Sequence, residues 1–395
     1  MSPGGVTAAL AIIGAVLAVA GWIAAVRFAR RVPRPGPGTA PITVLKPLHG
    51  GEPLLLEALS SLCDQDYPPG FQIVFGVHHD ADPAIPVVRA LIARHPNRDI
   101  ELVIDQTRHG ANPKIGNLIN MLPMARHDIL VLADSDVHTR PDYLRHLAES
   151  LSRPRAGLVT VLYSGLPASR ALPMLLGATQ ISYDFLPGAL LARAMGRQDC
   201  LGATMCLRRD TLARIGGLEA LRDHLADDNV LGQRVRAEGL DVALAHTIVA
   251  TTVPEDRFSA LWRHELRWAR TIRTLEPAGF AMLLLQYPLF WATLTVILTA
   301  GAPWAWFFML GIWAVRALAA TGVHLASREM LGGLAFRCPV WLLPLRDLLS
   351  AAEWVVSHAG RDVEWRGQTL HADTPPRLPH RDAGPANLHK GSNAR

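Results

Sequence analysis

Residues 127–136 read HDILVLADSD, in which the apolar run ILVLA ends in two carboxylates one residue apart, Asp134 and Asp136. A short apolar run that ends in polar residues is typical of a buried strand, and residues i and i+2 of a strand share a face. Two carboxylates that converge at a strand tip offer the hard oxygen ligands that Mg²⁺ or Mn²⁺ binds when it bridges to a diphosphate. The alternative is a strand-end turn in which an aspartate acts as a cap.

Short apolar runs and helix-like stretches alternate on both sides of this strand. The apolar runs lie at residues 42–45, 73–77, 100–104 and 158–162, and the helix-like stretches lie at 53–62, 85–94 and 143–151. Strands that alternate with helices predict an α/β fold with a mostly parallel sheet, in which ligands bind at the carboxyl ends of the strands.

Composition indicates a membrane portion beside this sheet. Of the 395 residues, 50% are hydrophobic and 18% are charged, whereas an ordinary soluble domain has about 25% charged residues. This excludes a disordered chain. The net charge of +5 comes with no long basic run, so we expect no nucleic acid partner. The four scattered cysteines form no CxxC pair, which predicts reduced thiols rather than a zinc site.

Three apolar segments are candidates for the membrane. Residues 6–26 are uncharged, and as a helix they would extend about 32 Å, enough to cross a hydrocarbon core of about 30 Å. The segments 280–300 and 304–326 are expected to span as a hairpin. The charges within 338–357 leave open whether it spans or forms a re-entrant or interfacial helix. The positive-inside rule places the amino terminus outside, because the first segment is followed by Arg27, Arg30, Arg31 and Arg34.

The predicted organisation therefore has five parts. They are an amino-terminal anchor (1–31), a Pro/Gly-rich linker (32–41), a cytosolic α/β domain that ends in an interfacial helix (42–277), a transmembrane or interfacial region (278–358) and a cytosolic tail (359–395). The tail is expected to be largely disordered from Thr369 onward, because it is rich in Pro, Gly, His and charge.

Further candidate site residues follow a strand or open a helix. Asp80 and Asp82 lie in VHHDADP, directly after the run 72–77. Lys114 lies in GANPKIGN, a loop where backbone donors and an ammonium group are suited to a phosphate or a base edge. Asp227 and Asp228 open a helix in ADDNVL. They are either simple caps of the helix dipole or a repelling pair in which one carboxylate becomes basic enough to act as a general base.

The stretch FSALWRHELRWARTIR, residues 258–273, predicts an amphipathic helix. One of its sides carries the basic residues Arg263, Arg267, Arg270 and Arg273. This helix either lies on anionic headgroups before the membrane hairpin, or it directs Arg267 to a pyrophosphate and Trp268 to an acceptor.

Together these motifs resemble a known family. In chain order, VHHDADP, NPKIGN, DSD, ADDNVL and HELRW, between an anchor and a membrane hairpin, resemble the ceramide glucosyltransferase-like family of membrane glycosyltransferases over about residues 6–366. The sequence looks most similar to the bacterial branch associated with hopanoid biosynthesis. The resemblance implies a GT-A fold, the nucleotide-diphospho-sugar transferase fold, for the α/β domain.

The resemblance also implies roles for the candidate residues on the donor side. Asp80 or Asp82 would contact the uridine, and the alternative between them stays open. Lys114 would assist nucleotide binding. Asp134 and Asp136 would hold Mg²⁺ or Mn²⁺ on the diphosphate.

On the reacting side, the resemblance makes Asp228 the catalytic base. Arg267 and Trp268 match the RW of the family's (Q/R)xxRW motif, whereas its first position is His264 in this chain. A diphosphate leaving group requires neutralisation, and a hydroxyl nucleophile requires a group that accepts its proton.

The implied enzyme moves a single sugar, N-acetylglucosamine or glucose, from a UDP-sugar to a membrane lipid hydroxyl with inversion. The acceptor is expected to be bacteriohopanetetrol or another hopanoid, with ceramide as an alternative, and the catalytic domain faces the cytoplasm at a bacterial inner membrane. A processive polysaccharide synthase would share the motifs but needs a channel for its growing chain. A non-catalytic lipid-binding protein on the same fold is the remaining alternative.

Overall fold

An eight-stranded mixed sheet forms the centre of the structure, a computed structural model that describes residues 2–31, 40–360, 362–365 and 368–371. Its strands are β1 (Ile42–Pro47), β2 (Phe71–Val77), β3 (Asp99–Ile104), β4 (Ile129–Ala133), β5 (Val137–His138), β6 (Ala156–Pro167), β7 (Thr204–Arg208) and β8 (Asp241–Val253). Their order is β3-β2-β1-β4-β7-β6-β8-β5. β7 is antiparallel to β4 and β6, β5 is antiparallel to β8, and the other pairs are parallel. The prediction of a mostly parallel α/β sheet is confirmed.

Helices cover both faces of this sheet and continue into the membrane portion. They are α1 (Pro3–Ala29), α2 (Leu55–Cys63), α3 (Ala84–Arg94), α4 (Pro113–Met121), α5 (Tyr143–Leu151), α6 (Leu172–Gln180), α7 (Leu186–Ala194), α8 (Arg209–Arg214), α9 (Asp227–Ala237), α10 (Phe258–Leu275), α11 (Pro277–Leu283), α12 (Pro288–Leu298), α13 (Pro303–Leu331) and α14 (Leu343–Ser357). A five-residue π-helical segment, Ile181–Phe185, joins α6 to α7.

The apolar core lies on both faces of the sheet, because successive side chains of a strand point to opposite sides. In β1, Val44 packs into the layer that includes α2, α3 and α5. Its neighbour Leu45 packs into the layer that includes α4 and α9. Strands buried on both faces leave their carboxyl ends as the accessible edge where polar side chains can gather.

Two helices are long and apolar enough to cross a membrane among the described residues, α1 and the helical stretch Pro303–Leu334 that contains α13. They pack closely because small residues face their neighbours. A Cβ atom at Gly14 of α1 would lie 2.6 Å from the Leu285 carbonyl oxygen, and one at Gly322 of α13 would overlap the Trp22 ring. Small residues at such contacts let membrane helices approach each other closely.

The expected span at 280–300 is bent in the structure, which leaves open whether it crosses the membrane. The chain forms α11 with a short 3₁₀ turn and then α12, and the two halves meet at 63°. Tyr287 leaves the helical region, with φ −102° and ψ 74°, directly before Pro288. A residue before proline is disfavoured in the α conformation, and proline supplies no N–H to continue the helix. The described residues therefore contain two spans, or three if the bent pair counts as one.

The segment 338–357, which the sequence left open, forms the 15-residue helix α14. At 1.5 Å per residue it extends about 22 Å, too short for a hydrocarbon core of about 30 Å. Its charged residues Arg346, Asp347 and Glu353 are buried against protein.

The tail departs from its predicted disorder at Thr369. Gln368–His371 pairs antiparallel with Asp362–Trp365 as a two-stranded sheet, so interstrand backbone hydrogen bonds order Thr369–His371. Residues 372–395 of the predicted tail and 32–39 of the predicted linker lie outside the described residues.

Candidate functional site

The two carboxylates of the DSD motif lie where β4 ends, as the sequence predicts. The backbone N–H of Asp134 donates to the Ala203 carbonyl over 3.2 Å. The Asp136 carboxylate accepts a short hydrogen bond from the Thr251 hydroxyl. Burial raises the pKa of Asp136, and the nearby charge of Asp134 raises it further. A second negative charge beside Asp134 is therefore unfavourable in this partly dehydrated place, and a bound cation would offset that cost.

Lys114 connects the DSD motif to the ADD motif. It lies in the first turn of α4, whose start is fixed because the Asn112 side chain accepts from the Ile115 N–H over 3.1 Å. The Lys114 ammonium lies 2.7 Å from an Asp134 oxygen and 3.4 Å from an Asp227 oxygen. Burial opposes its charge, but Asp134 and Asp227 outweigh burial and raise the pKa of Lys114, so the ammonium stays charged.

Asp227 and Asp228 open α9 at the same edge of the sheet but differ in their surroundings. Asp227 is buried and lies 3.4 Å from the Asn112 side-chain nitrogen, whereas Asp228 is partly exposed. Burial and the charge of Asp227 raise the pKa of Asp228 to about 7, although Lys114 opposes the shift. A Cβ atom at position 202 would lie 2.9 Å from an Asp228 oxygen, so Gly202 provides the space for this carboxylate. A carboxylate that titrates near neutral pH is suited to accept a proton.

Asp80 and Asp82 occupy different environments after β2. Asp82 is buried and accepts hydrogen bonds from the Gly50 N–H at 3.1 Å and the Ala84 N–H at 2.9 Å. It thereby ties the loop after β1 to the start of α3. Asp80 is exposed, and within the described part of the chain no hydrogen bond or ion pair is seen for it. The carboxylate available to a ligand at this strand end is that of Asp80.

α10 carries the predicted HELRW residues beside an apolar cluster. The imidazole of His264 makes a short hydrogen bond with the Glu255 carboxylate and meets the Trp268 ring edge-on at 4.4 Å between ring centroids. Burial alone would raise the pKa of Glu255, but the hydrogen bond and the charge of His264 outweigh burial, so the pKa of Glu255 is lowered. Trp268 packs against a cluster that contains Met174, Ala178, Ile181 and Val253. His264 therefore lies in direct contact with both Glu255 and Trp268.

A further cation at this edge of the sheet is Lys46, the last but one residue of β1, to which the sequence assigns no site role. Its side chain is 1% exposed, and its ammonium donates to the Val137 carbonyl over 3.0 Å. Burial lowers the pKa of Lys46 to about 8, although Asp136 and Asp134 oppose the shift. The sequence signal for this buried cation is a lysine within an otherwise apolar strand, in a chain that has three lysines.

Sequence reasoning missed Tyr163 of β6. Its ring stacks on Phe185 of the π-helical segment, with 4.4 Å between centroids and 27° between planes. Burial raises the pKa of Tyr163, and the charges of Asp228 and Asp134 raise it further. Tyr163 also packs against the cluster that Trp268 contacts. No local pattern marks this tyrosine, because its neighbours come from distant parts of the chain.

The carboxylate oxygens of the DSD motif suit a hard divalent cation. Among the described residues, no group of three or more His, Cys, Asp or Glu side chains could hold a metal ion. Mg²⁺ commonly binds through one or two carboxylates and takes its other ligands from substrate phosphates and water. Asp134 and Asp136 match that pattern, so the residues present fit Mg²⁺ or Mn²⁺ that arrives with a diphosphate.

Comparison with known proteins assigns a family. Residues 6–378 match the family described as Glycosyl transferase family 21. The chain is 26% identical over 217 residues to Ceramide glucosyltransferase 1 of Caenorhabditis elegans, which is 53% of this chain and 45% of that protein. It is 22% identical over 234 residues to Beta-monoglucosyldiacylglycerol synthase of Trichormus variabilis, which is 58% of this chain and 48% of that protein. The chain therefore spans less than half the length of these curated relatives.

Among solved structures, the mannosyltransferase PcManGT from Pyrobaculum calidifontis, in complex with GDP-Man and Mn²⁺, aligns at 20% identity and a TM-score of 0.47. The alignment covers 89% of this chain and 99% of that chain. The family match, the mixed α/β sheet and the candidate membrane helices confirm the predicted fold class.

Proposed function

The chain belongs to glycosyl transferase family 21, and on this premise we propose that it transfers one sugar from a UDP-sugar to a hydroxyl group of a membrane lipid. The observation that carries this proposal is the joint position of the DSD and ADD motifs, with the Lys114 ammonium 2.7 Å from Asp134 and 3.4 Å from Asp227. Diphosphate-binding groups and a basic carboxylate are thereby gathered at one edge of the sheet.

On the donor side, Asp80 contacts the uridine, because Asp82 is already engaged by backbone donors. Lys114 contributes positive charge for the diphosphate. A divalent cation, Mg²⁺ or Mn²⁺, held by Asp134 and Asp136 would supply further neutralisation of the leaving group. Arg267 is proposed to contact the pyrophosphate from α10.

On the acceptor side, Asp228 accepts the proton of the attacking hydroxyl. Its pKa of about 7 allows it to be ionised at neutral pH and still hold the proton after transfer. The attack is a single displacement that inverts the configuration of the sugar. Trp268, held by His264, forms an apolar wall for the lipid.

The enzyme is proposed to lie in a bacterial inner membrane with the sheet in the cytoplasm. The four arginines after the first apolar segment favour this orientation. A cysteine at exposed Arg145 of α5 should react with a membrane-impermeant maleimide only after cells are opened. A cysteine at Ala300, in the turn between α12 and α13, should react in intact cells. The reverse labelling pattern would invert the orientation.

The acceptor is proposed to be a hopanoid with a free hydroxyl, such as bacteriohopanetetrol, and the donor UDP-N-acetylglucosamine or UDP-glucose. The test incubates membranes that contain the protein with each radiolabelled UDP-sugar and with bacteriohopanetetrol, ceramide or diacylglycerol, then identifies the labelled lipid by mass. One added sugar on the hopanoid supports the proposal. Labelled ceramide or diacylglycerol would reassign the acceptor, a polymer would indicate a processive synthase, and no product with any lipid would contradict lipid transfer.

A further inference from the structure

The buried side of α14 carries a fully enclosed arginine. Arg346 is 0% exposed, and one of its terminal nitrogens lies 3.0 and 2.9 Å from the two carboxylate oxygens of Glu265. Its other terminal nitrogen lies 3.0 Å from Glu353, and its Nε donates to the Ser350 hydroxyl over 3.1 Å. Arg346 therefore joins α14 to α10 through charge-assisted hydrogen bonds, which depend strongly on geometry.

Glu265 belongs to the HELRW motif, two residues before Arg267. Each residue of an α-helix is rotated about 100° from the one before it, so Arg267 points away from the side that Glu265 occupies. The ion pair between Arg346 and Glu265 fixes the rotation of α10 about its own axis. That rotation determines which way Arg267 and Trp268 face.

The next residue of α14 reaches a second element beside the site. One oxygen of Asp347 accepts the Leu289 N–H over 3.0 Å, and the other lies 3.6 Å from a nitrogen of Arg316. Arg316 in turn pairs closely with Asp184 and donates to the Tyr183 carbonyl over 3.2 Å. Asp347 therefore acts on the π-helical segment Ile181–Phe185 through Arg316.

The π-helical segment connects Asp347 and Arg316 to the candidate site. Phe185, directly after Asp184, stacks on Tyr163, which packs against the same apolar cluster as Trp268. π-Helical turns are frequent at functional sites because they redirect side chains within a helix. The two adjacent residues of α14 thus support two different walls, Trp268 on α10 and the Phe185–Tyr163 pair.

We propose that Arg346 and Asp347 of α14 are positioning residues for the lipid acceptor, because they hold α10 and the π-helical segment in register with each other. This inference rests on the proposed function. Buried ion pairs contribute little net stability, since the cost of desolvation offsets their attraction, and apolar side chains of similar volume stabilise a fold as well. A fixed orientation of the two walls gives these charges a role that apolar packing would not supply.

The test uses the full-length protein in membranes and the substitution Arg346→Lys, which keeps the positive charge and loses the planar fork. The expected result is a loss of at least about tenfold in kcat/KM for the lipid acceptor, because a misplacement of about 1 Å can reduce a rate by about a hundredfold. The dissociation constant for UDP and the rate of UDP-sugar hydrolysis by water should change much less than lipid transfer, because Lys114 and the DSD motif lie outside α10 and still serve the diphosphate when Arg267 is displaced. Asp347→Asn should also reduce lipid transfer more than UDP binding or hydrolysis, because it disturbs the π-helical segment through Arg316.

Arg145→Lys is the matched control, because Arg145 pairs with Asp66 at 2.6 Å on an exposed surface. It should change none of these measurements. If Arg346→Lys fails to fold, Glu265→Gln carries the test, since its amide oxygen still accepts from Arg346. Equal losses in UDP binding, hydrolysis and lipid transfer, or no loss of transfer, would overturn the inference. A wild-type protein that transfers sugar to no lipid would instead contradict the proposed function.

Discussion

Two clusters of buried charged residues contain the same numbers of basic and acidic side chains but differ in their access to solvent. The donor cluster contains Lys46, Lys114, Asp134, Asp136, Asp227 and Asp228, and the α14 cluster contains Asp184, Glu265, Arg316, Arg346, Asp347 and Glu353. Each has two basic and four acidic side chains. The side chain of Asp134 is 35% exposed, whereas no ion-paired side chain of the α14 cluster exceeds 7%.

This difference in access explains how each cluster balances its excess of carboxylates. A cation from solvent can reach the donor cluster, and the open Asp134 and Asp136 are the groups it would meet. The α14 cluster is closed to solvent, so its carboxylates pair with Arg316 and Arg346 instead, and burial raises the pKa of Glu353. We therefore expect the same charges to form a ligand site where they are open and a structural link where they are enclosed.

The two clusters also differ in the type of basic residue that they contain. The donor cluster uses lysines, whose ammonium is a compact charge on a flexible stem, and the α14 cluster uses arginines, whose planar fork binds carboxylates in a fixed geometry. Only three lysines occur among the 39 basic residues of the chain, and two of them lie in the donor cluster. A site that must exchange one partner for another during turnover is better served by lysine.

Removal of one carboxylate from the open cluster should have the largest effect. We expect Asp134→Ala or Asp136→Ala to reduce lipid glycosylation by at least about a thousandfold, because each change removes one of the two carboxylates that the DSD motif offers to the cation. The measurement is transfer of labelled sugar in membranes, with the amount of folded protein determined in parallel.

Asp66→Ala is the control for this prediction, since Asp66 is an exposed carboxylate paired with Arg145 at 2.6 Å. That variant should retain wild-type transfer. EDTA should also abolish the wild-type reaction, and Mn²⁺ or Mg²⁺ should restore it. Full activity in the presence of EDTA would contradict the assignment of the open cluster to a cation.

Within the open cluster, the base should be separable from the diphosphate-binding groups. We expect Asp228→Asn to lower kcat by about a hundredfold or more, because an amide cannot accept the proton of the attacking hydroxyl. The dissociation constant of the UDP-sugar, measured by calorimetry, should change little. An unchanged kcat would return Asp228 to the role of a helix cap.

The sequence predicts the local parts of this comparison and misses the non-local ones. The boundaries of α5 and the end of β4 at the DSD motif follow from apolar periodicity, and Lys114 and Asp228 follow from motifs at strand ends and helix starts. The sequence assigns Lys46 no role, because its contact with Val137 depends on β1 lying beside β4. Charges in 338–357 were noticed, but Glu265, the partner of Arg346, is 81 residues away along the chain. Hydropathy alone also carries no information about the bend at Tyr287.

The acceptor wall should matter less than the charged groups. We expect Trp268→Ala to lower kcat/KM for the lipid by about thirtyfold, which corresponds to about 2 kcal/mol for an apolar side chain that loses its contact. UDP-sugar binding should remain nearly unchanged. Trp341→Ala is the control, because Trp341 is an exposed tryptophan outside both clusters. Equal losses in lipid transfer and in donor binding for Trp268→Ala would exclude an acceptor role.

The smallest expected effect is the pH dependence of the open cluster. Because the pKa of Asp228 is raised to about 7, the carboxylate is largely protonated at pH 6 and largely ionised at pH 8. We therefore expect kcat/KM to fall by about tenfold from pH 8 to pH 6, since this parameter reports ionisation in the free enzyme.

Loss of folding would not explain that decline. A carboxyl group whose pKa is higher in the folded than in the unfolded state stabilises the fold at low pH, and this contribution is lost as the pH rises through about 7. Over the same interval the contribution of Asp228 to stability therefore increases on acidification while activity decreases. Thermal melting at each pH separates the two effects. The residual activity of Asp228→Asn should lack this acidic limb, and a limb that persists in that variant would assign the titration to another group of the open cluster.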